Sequence, residues 1–295
     1  MKTEFSERLK SLEAAREPFR KALQTYLNQA GQPDLLISSP GNEIANIVTP
    51  ASVLAVFDNR WIQVEENSFG GTSTTQVDFA NTLWVELTAI LLYGRLSITY
   101  ARDSALHRVE IVFNTSRVEY YRDAAERVLL GIRGLTGSTA RDNRQVIDGV
   151  AKLSFKFRSA LYDMTPPGER LKALLSWPML TEPGHFGAMR EVASAGMLVL
   201  TEHTLLIIQE ELKEANSSLK KGPHYGKITE YIPLQRLSGC ALHDTNDTTM
   251  SRVSFFLSVD GATKGELGIK FPTSLEIDVQ VFLEKLTNVV QARRC

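Results

Sequence analysis

The sequence predicts a mainly β protein with helices, an α+β fold in which one supersecondary unit is used twice. Three observations predict it. "VEIVFNTSRVEYYRDAAERVL", Val109 to Leu129, and "LGIKFPTSLEIDVQVFLEKL", Leu267 to Leu286, each read as a strand, a polar turn and an amphipathic helix. Ile111 falls over Ile269, Phe113 over Phe271, Thr115 over Thr273 and Glu126 over Glu284, at a constant step of 158 (267 − 109, 284 − 126). "VLAVFDNRWIQVEE", Val53 to Glu66, and "MLVLTEHTLLIIQEE", Met197 to Glu211, form a second matched pair at a step of 144, with Val56 over Leu200 and Trp61 over Leu205. Between these ends, each copy carries further β-rich runs after a polar loop.

The first thirty residues place Phe5, Leu9, Leu12, Phe19, Leu23 and Tyr26 on one helical face. Pro18 is tolerated in a first helical turn and not inside a helix, so the segment 1–34 reads as two helices, or one kinked helix, meeting near Glu17 and Pro18. "GQPDLLISSPGNE" reads as a loop. The first repeat copy, 44–135, opens with a hairpin in which Asp58-Asn59 are residue types that tolerate the positive φ of a tight turn. "TLWVELTAILLY", "RLSITYAR" and "HRVEIVFN" supply its later strands. Its closing helix is preceded by Ser116-x-x-Glu119, a capping-box pattern in which hydroxyl and carboxylate each satisfy an orphan backbone N–H.

Residues 136–187 belong to neither copy on this reading and form a helical connector. Val146, Val150, Leu153, Phe157 and Leu161 stand at helical spacing. "MTPPGERLKALLSWP" reads as a second, shorter helix that Pro166-Pro167 starts and Pro178 ends. So many large apolar residues require the connector to pack on one or both domains. The second copy, 188–295, ends in a helix preceded by Thr273-x-x-Glu276, with Ile277, Phe282, Leu283 and Leu286 as its apolar stripe.

A hairpin, further antiparallel strands and one C-terminal amphipathic helix resemble the pleckstrin homology (PH) superfold, a bent antiparallel barrel plugged by its last helix. The second copy resembles the bacterial PH-like domains best: "GMLVLTEHTLLIIQEE", "YIPLQRLSGCAL", "SFFLSVDG", "GELGIKF" and the helix follow in the family's order. The resemblance implies two PH-like antiparallel barrels, each capped by a C-terminal α-helix, with the N-terminal helices and the connector outside them. Phosphoinositide-binding members grip phosphates with basic residues around the first hairpin. Here those turns carry Asp58-Asn59 and Glu202-His203, with Arg60 alone basic, and a carboxylate there repels an inositol phosphate.

Composition narrows the function classes. A length of 295 residues suits about two domains. With 33 basic against 34 acidic residues there is no global field for nucleic acid or an anionic membrane, so a nucleic-acid partner is not expected. The charged N-terminal run is unlike a secretory signal, and "TLWVELTAILLYGRLSITY" is broken by Glu86 and Arg95, so a soluble cytoplasmic protein is expected. Two cysteines, Cys240 and Cys295, exclude a disulfide framework and a thiolate zinc site.

Chemistry-bearing motifs are few. G-x-S-x-G, H-E-x-x-H and a glycine loop ending in Lys-Ser or Lys-Thr are all missing. "GIRGLTGS", Gly131 to Ser138, follows a helix instead of opening one and reads as a helix stop. His107, His185, His203, His224 and His243 are scattered singly, and "HDTNDTT" lacks the glycine and distal glutamate of a calcium loop. No cofactor and no metal are expected. The one local charge feature is "KEANSSLKKGPHYGK", which offers Lys213, Lys220, Lys221, His224 and Lys227 to an acidic partner or lipid head group.

The sequence therefore points to a non-enzymatic protein-interaction or scaffold module with a protein partner or self-association. The alternative is a peripheral binder of anionic lipid through the lysine-rich loop. A third reading is an enzyme whose site is assembled from residues distant in sequence.

Overall fold

A computed structural model describes residues 5–44, 47–135, 150–183, 189–210, 226–244 and 249–294. The chain divides into two compact units, Met1–Ser138 and Thr139–Cys295. It is mainly β, with four α-helices among the described residues and every described strand pairing antiparallel.

Unit 1 starts with the two-residue strand β1 (Glu7–Arg8), a 3-10 turn (Leu12–Ala14) and helix α1 (Glu17–Ala30). Pro18 stands in the first turn of α1, where its missing N–H costs nothing. The residues before it are strand and 3-10 turn, not a second helix. Their apolar stripe is nevertheless used: Leu12, Ala15, Phe19 and Leu23 are buried against Leu36, Val53, Ile62 and Val64, so the N-terminal segment shares the core of unit 1.

Strand β2 (Leu35–Ser39) occupies what the sequence suggested as a loop, and pairs with β5. Its run Leu-Leu-Ile-Ser-Ser is apolar on both faces, because one face meets α1 and the other the core. The small hairpin β3 (Asn42–Ile44) and β4 (Ile47–Thr49) leads to β5 (Ser52–Val56), β6 (Arg60–Glu66) and β7 (Thr72–Asp78). The sheet order is β1-β2-β5-β6-β7. Asp58-Asn59 do form the β5–β6 turn, closed by the Phe57 N–H on the Arg60 carbonyl at 2.9 Å, but without positive φ. A 3-10 turn (Phe79–Asn81) leads into the meander β8 (Thr82–Ile90), β9 (Tyr93–Arg102) and β10 (Ala105–Asn114). Here the left-handed turn does occur, at Asp103-Ser104 with φ 51° and 63°.

Helix α2 (Val118–Ile132) follows a 3-10 turn (Thr115–Arg117). The expected capping box at Ser116 is not made: the Asn114 side chain accepts the Ser116 N–H instead, and the N-cap of α2 is Arg117. The helix buries Tyr121, Ala124, Ala125, Val128 and Leu129 and touches β5, β6, β8 and β9, so it spans both sheets of the unit. Gly131 allows this closeness, since a Cβ there would stand 2.1 Å from the Phe79 ring. The helix stops as read, with the Gly134 φ at 70° and the Leu135 N–H on the Leu130 carbonyl.

Unit 2 runs through a 3-10 turn (Val150–Lys152), α3 (Phe155–Met164), β11 (Leu171–Trp177), β12 (Leu180–Pro183), β13 (Met189–Ala193), β14 (Gly196–Thr201) and β15 (Thr204–Glu210). Then come β16 (Lys227–Pro233), a 3-10 turn (Leu234–Arg236), β17 (Leu237–Asp244), β18 (Met250–Val259), β19 (Ala262–Pro272), a 3-10 turn (Thr273–Leu275) and α4 (Glu276–Arg294). The order β11-β14-β15-β16 makes one antiparallel array and β17-β18-β19 another. The second helix expected between Pro166-Pro167 and Pro178 is therefore a correction: Leu171–Trp177 is strand β11, paired with β14. Propensity favoured a helix in "ERLKALLSW", but pairing with Met197, Leu198 and Val199 on the neighbouring strand overrides it.

The same succession of elements appears in both units, and so do several backbone bonds. The Glu66 N–H donates to the Ala51 carbonyl and the Glu210 N–H to the Ala195 carbonyl, both at 2.9 Å. Phe79 N–H donates to Asn59 and Leu234 N–H to His203; Thr115 N–H donates to Leu92 and Thr273 N–H to Thr249. Among the described residues none of the sheets closes into a barrel.

Candidate functional site

The sequence singled out Lys213, Lys220, Lys221 and His224, which lie outside the described residues. Lys227, the last of that set, opens β16 and its Nζ stands 3.9 Å from the Asp163 carboxylate on α3. Among the described residues the histidines do not converge: His107 stacks on Tyr100 at 5.5 Å, His203 meets Arg293, and His243 is exposed on β17. Among the described residues no group of three His, Cys, Asp or Glu side chains could hold a metal ion. Cys240 is half-buried; burial pushes its thiol pKa up, and a hydrogen bond to Thr287 opposes this. Among the described residues no helix is long and apolar enough to cross a membrane.

The densest charge cluster is structural. On β8 the Glu86 carboxylate, 7% exposed, accepts from Arg95 at 2.7 Å, Arg108 at 3.0 Å and Thr88 at 3.1 Å. Glu110 receives Arg108 at 2.9 Å, and Ser97 receives Arg108 at 2.8 Å. Burial alone would raise the Glu86 carboxyl, yet Arg108 and Arg95 outweigh it and hold its pKa below the ordinary carboxylate value. Both of its oxygens accept hydrogen bonds, and the partners lie on β9 and β10 as well as on β8, so the cluster ties three strands together.

A different feature has the shape of a binding site. In unit 2 an open groove of about 590 Å³ lies between the first turn of α3 and the end of β11. Its floor is apolar: Leu153, Phe157, Trp177, Pro178, Met179 and Ala195. Trp177 is fixed by its Nε1–H donating to the Ser194 carbonyl at 3.1 Å. Gly196 permits the ring to lie flat there, since a Cβ at 196 would stand 2.4 Å from it. The helix side is positioned by the Ser154 hydroxyl, which accepts the Phe157 N–H and caps α3. The rim carries Lys152, Lys156 and Glu210, with Lys156 Nζ 2.8 Å from Glu210.

Sequence reasoning misses this groove because it reads "MTPPGERLKALLSWP" as a helix started by Pro166-Pro167, which sends Trp177 to a helical face instead of a strand end. A signal was present. Leu12, Phe19, Leu23, Ser38 and Pro40 match Val150, Phe157, Leu161, Ser176 and Pro178 at a constant step of 138 (157 − 19, 178 − 40). That match places Trp177 at the end of a strand equivalent to β2. In unit 1 β1 pairs along that strand, through Glu7 with Ser38 and Arg8 with Ile37; the matching positions, 145 and 146, lie outside the described residues. Ile37 is buried there, whereas its match Leu175 is half-exposed. No protein-family model and no curated protein matches this chain.

Proposed function

We propose that the protein is a non-enzymatic protein-interaction module built from two PH-like units, with the groove beside Trp177 as a docking surface. The observation that carries this reading is the groove itself: an aromatic and aliphatic floor, a rim of both charge signs, and the exposed Ser176 at its side. Such sites take apolar anchors of a partner and orient them through rim charges. The PH-like reading is supported by the succession of four antiparallel strands, three more and a helix in each unit, and by the matched steps of 138, 144 and 158, which we read as a tandem duplication. The lipid-binding alternative rests on the lysine-rich loop and enters as an outcome of the test.

The test is photo-crosslinking of the full chain in its own cells, with p-benzoylphenylalanine in place of Met179. A covalent adduct to a protein segment that is lost when the exposed Ser176 is changed to Arg supports the reading. A lipid adduct, or none, removes it.

A further inference from the structure

We infer that Glu169 keeps its proton in the folded chain at neutral pH and works as a proton-operated latch: its carboxyl O–H donates to the Thr201 hydroxyl and closes the β14–β15 turn of unit 2, and its ionisation releases that turn.

Glu169 lies in the segment between α3 and β11, and its side chain reaches the turn that joins β14 to β15. It is 6% exposed, and Thr201 and Thr204 beside it are buried. The Thr201 hydroxyl oxygen has three hydrogen-bond neighbours: the Thr204 N–H at 2.9 Å, the Thr204 carbonyl oxygen at 2.7 Å and Glu169 Oε2. The N–H brings its own proton. The other two contacts are oxygen to oxygen, and each needs one. A hydroxyl has a single proton and two lone pairs, and a carbonyl has no proton to give. The second proton therefore belongs to Glu169.

With that proton in place the cluster is matched. Thr201 accepts from Glu169 Oε2–H and from the Thr204 N–H, and donates to the Thr204 carbonyl. Glu169 Oε1 accepts the Thr204 hydroxyl at 3.0 Å, and the His203 N–H reaches Oε2 at 3.3 Å. Without it one contact must break. Either Thr201 turns its hydroxyl to the carboxylate and the Thr204 carbonyl loses that bond, or the carboxylate faces an oxygen lone pair. Burial acts in the same direction, because it disfavours the charged form.

The surrounding charges set the two carboxyls of this corner apart. Glu202, in the turn, has Lys172 of β11 at 3.2 Å; burial would raise its pKa, but Lys172 and Arg170 hold it below the ordinary carboxylate value. Arg293 of α4 meets His203, and Arg236, on the 3-10 turn whose Leu234 N–H donates to the His203 carbonyl, is balanced by Asp260. At the end of α3, Asp163 has Lys227 at 3.9 Å. Unit 1 closes the matching turn through its backbone: Thr201 and Thr204 match Phe57 and Arg60 at the step of 144, and the Phe57 N–H donates to the Arg60 carbonyl at 2.9 Å. The proton-dependent element is an addition of unit 2.

Two measurements on the full chain test this. The carbon-13 NMR shift of the Glu169 carboxyl should be that of a protonated acid at pH 7 and reach the carboxylate position only at alkaline pH, with the amide signals of Thr201, His203 and Thr204 moving in step. Glu169→Gln substitutes a neutral side chain that can still donate to Thr201 and accept from Thr204. The unfolded chain releases the proton above pH of about 4.3 while the folded chain keeps it, so this group's contribution to stability is complete below that value and shrinks as pH rises. Urea midpoints of Glu169→Gln should therefore rise relative to those of the unaltered protein between pH 5 and pH 8. A carboxylate shift at pH 7, turn amides that stay in place while the carboxyl titrates, or midpoints that move against the variant would each overturn the inference. The carboxyl shift is read on the unaltered protein, so it decides even where the variant does not fold.

Discussion

Lys156 and Glu210 face each other at 2.8 Å across the mouth of the unit 2 groove, joining the first turn of α3 to the end of β15. Unit 1 makes the same tie with other residues: Arg16 Nη2 stands 3.1 Å from Glu66, and Glu66 matches Glu210 at the step of 144. Both pairs hold a helix start against a sheet corner. Each is partly exposed, so the coupling is modest. A double-mutant cycle with Lys156→Met and Glu210→Gln should return about 0.5–1 kcal/mol, shrinking with added salt. A coupling near zero at low salt would mean that the pair does not hold the groove mouth.

Tyr121 is a fully buried polar group of unit 1. Its ring stacks on Phe113 with centroids 3.7 Å apart, and its hydroxyl meets Ser39 at 2.5 Å and Ser6 at 2.7 Å. Burial pushes its pKa up to about 12, with the two serine bonds opposing the rise. Because the folded-state value lies above the unfolded one, this group's contribution to stability is complete below pH of about 10 and is lost as pH rises towards 12. Tyr121→Phe should cost about 1–3 kcal/mol at neutral pH by leaving two buried hydroxyls short of a partner. It should also flatten the alkaline limb of the stability profile, which denaturant titrations at pH 8 to 11.5 would read.

How much of this was legible depended on which contacts specify each element. The hairpins Val53 to Glu66 and Met197 to Glu210 and the helices from Val118 and Glu276 were readable, because alternation and helical periodicity act locally. Strands β2 and β11 were not. "LLISS" looks like a loop beside Pro40, and "LKALLSW" carries helix formers; each becomes a strand only by pairing with β5 or β14, about twenty residues away. The groove inherits that difficulty, since Trp177 joins Phe157 only once β11 is a strand.

Glu86 should dominate the acid response of unit 1. Its carboxyl pKa is lowered in the folded state, so the stabilisation it provides is present above the unfolded carboxylate value near 4.3 and is lost as pH falls through the folded value. Glu86→Gln leaves Arg95 and Arg108 without their shared anion. Both arginines keep some solvent, so the cost should be about 2 kcal/mol, below that of a fully buried pair. The variant should show a shallower loss of stability between pH 5 and 3, measured by urea denaturation. An unchanged acid limb would assign that response to other carboxylates.

Gly196 and Trp177 make the last prediction, because the groove floor depends on their closeness. Trp177 pairs with Gly196 across β11 and β14, and a Cβ at 196 would fall 2.4 Å from the indole. Gly196→Ala must move the ring or the strand, and overpacking of this kind costs about 1–3 kcal/mol. If the ring moves, it moves into the groove and closes it. Fluorine NMR of 5-fluorotryptophan-labelled protein should then shift the Trp177 resonance while those of Trp61 and Trp84 stay in place, and the protein adduct at position 179 should disappear. A destabilised variant that keeps the Trp177 resonance and the adduct would show that the strand yields instead, and that the floor does not rely on this glycine.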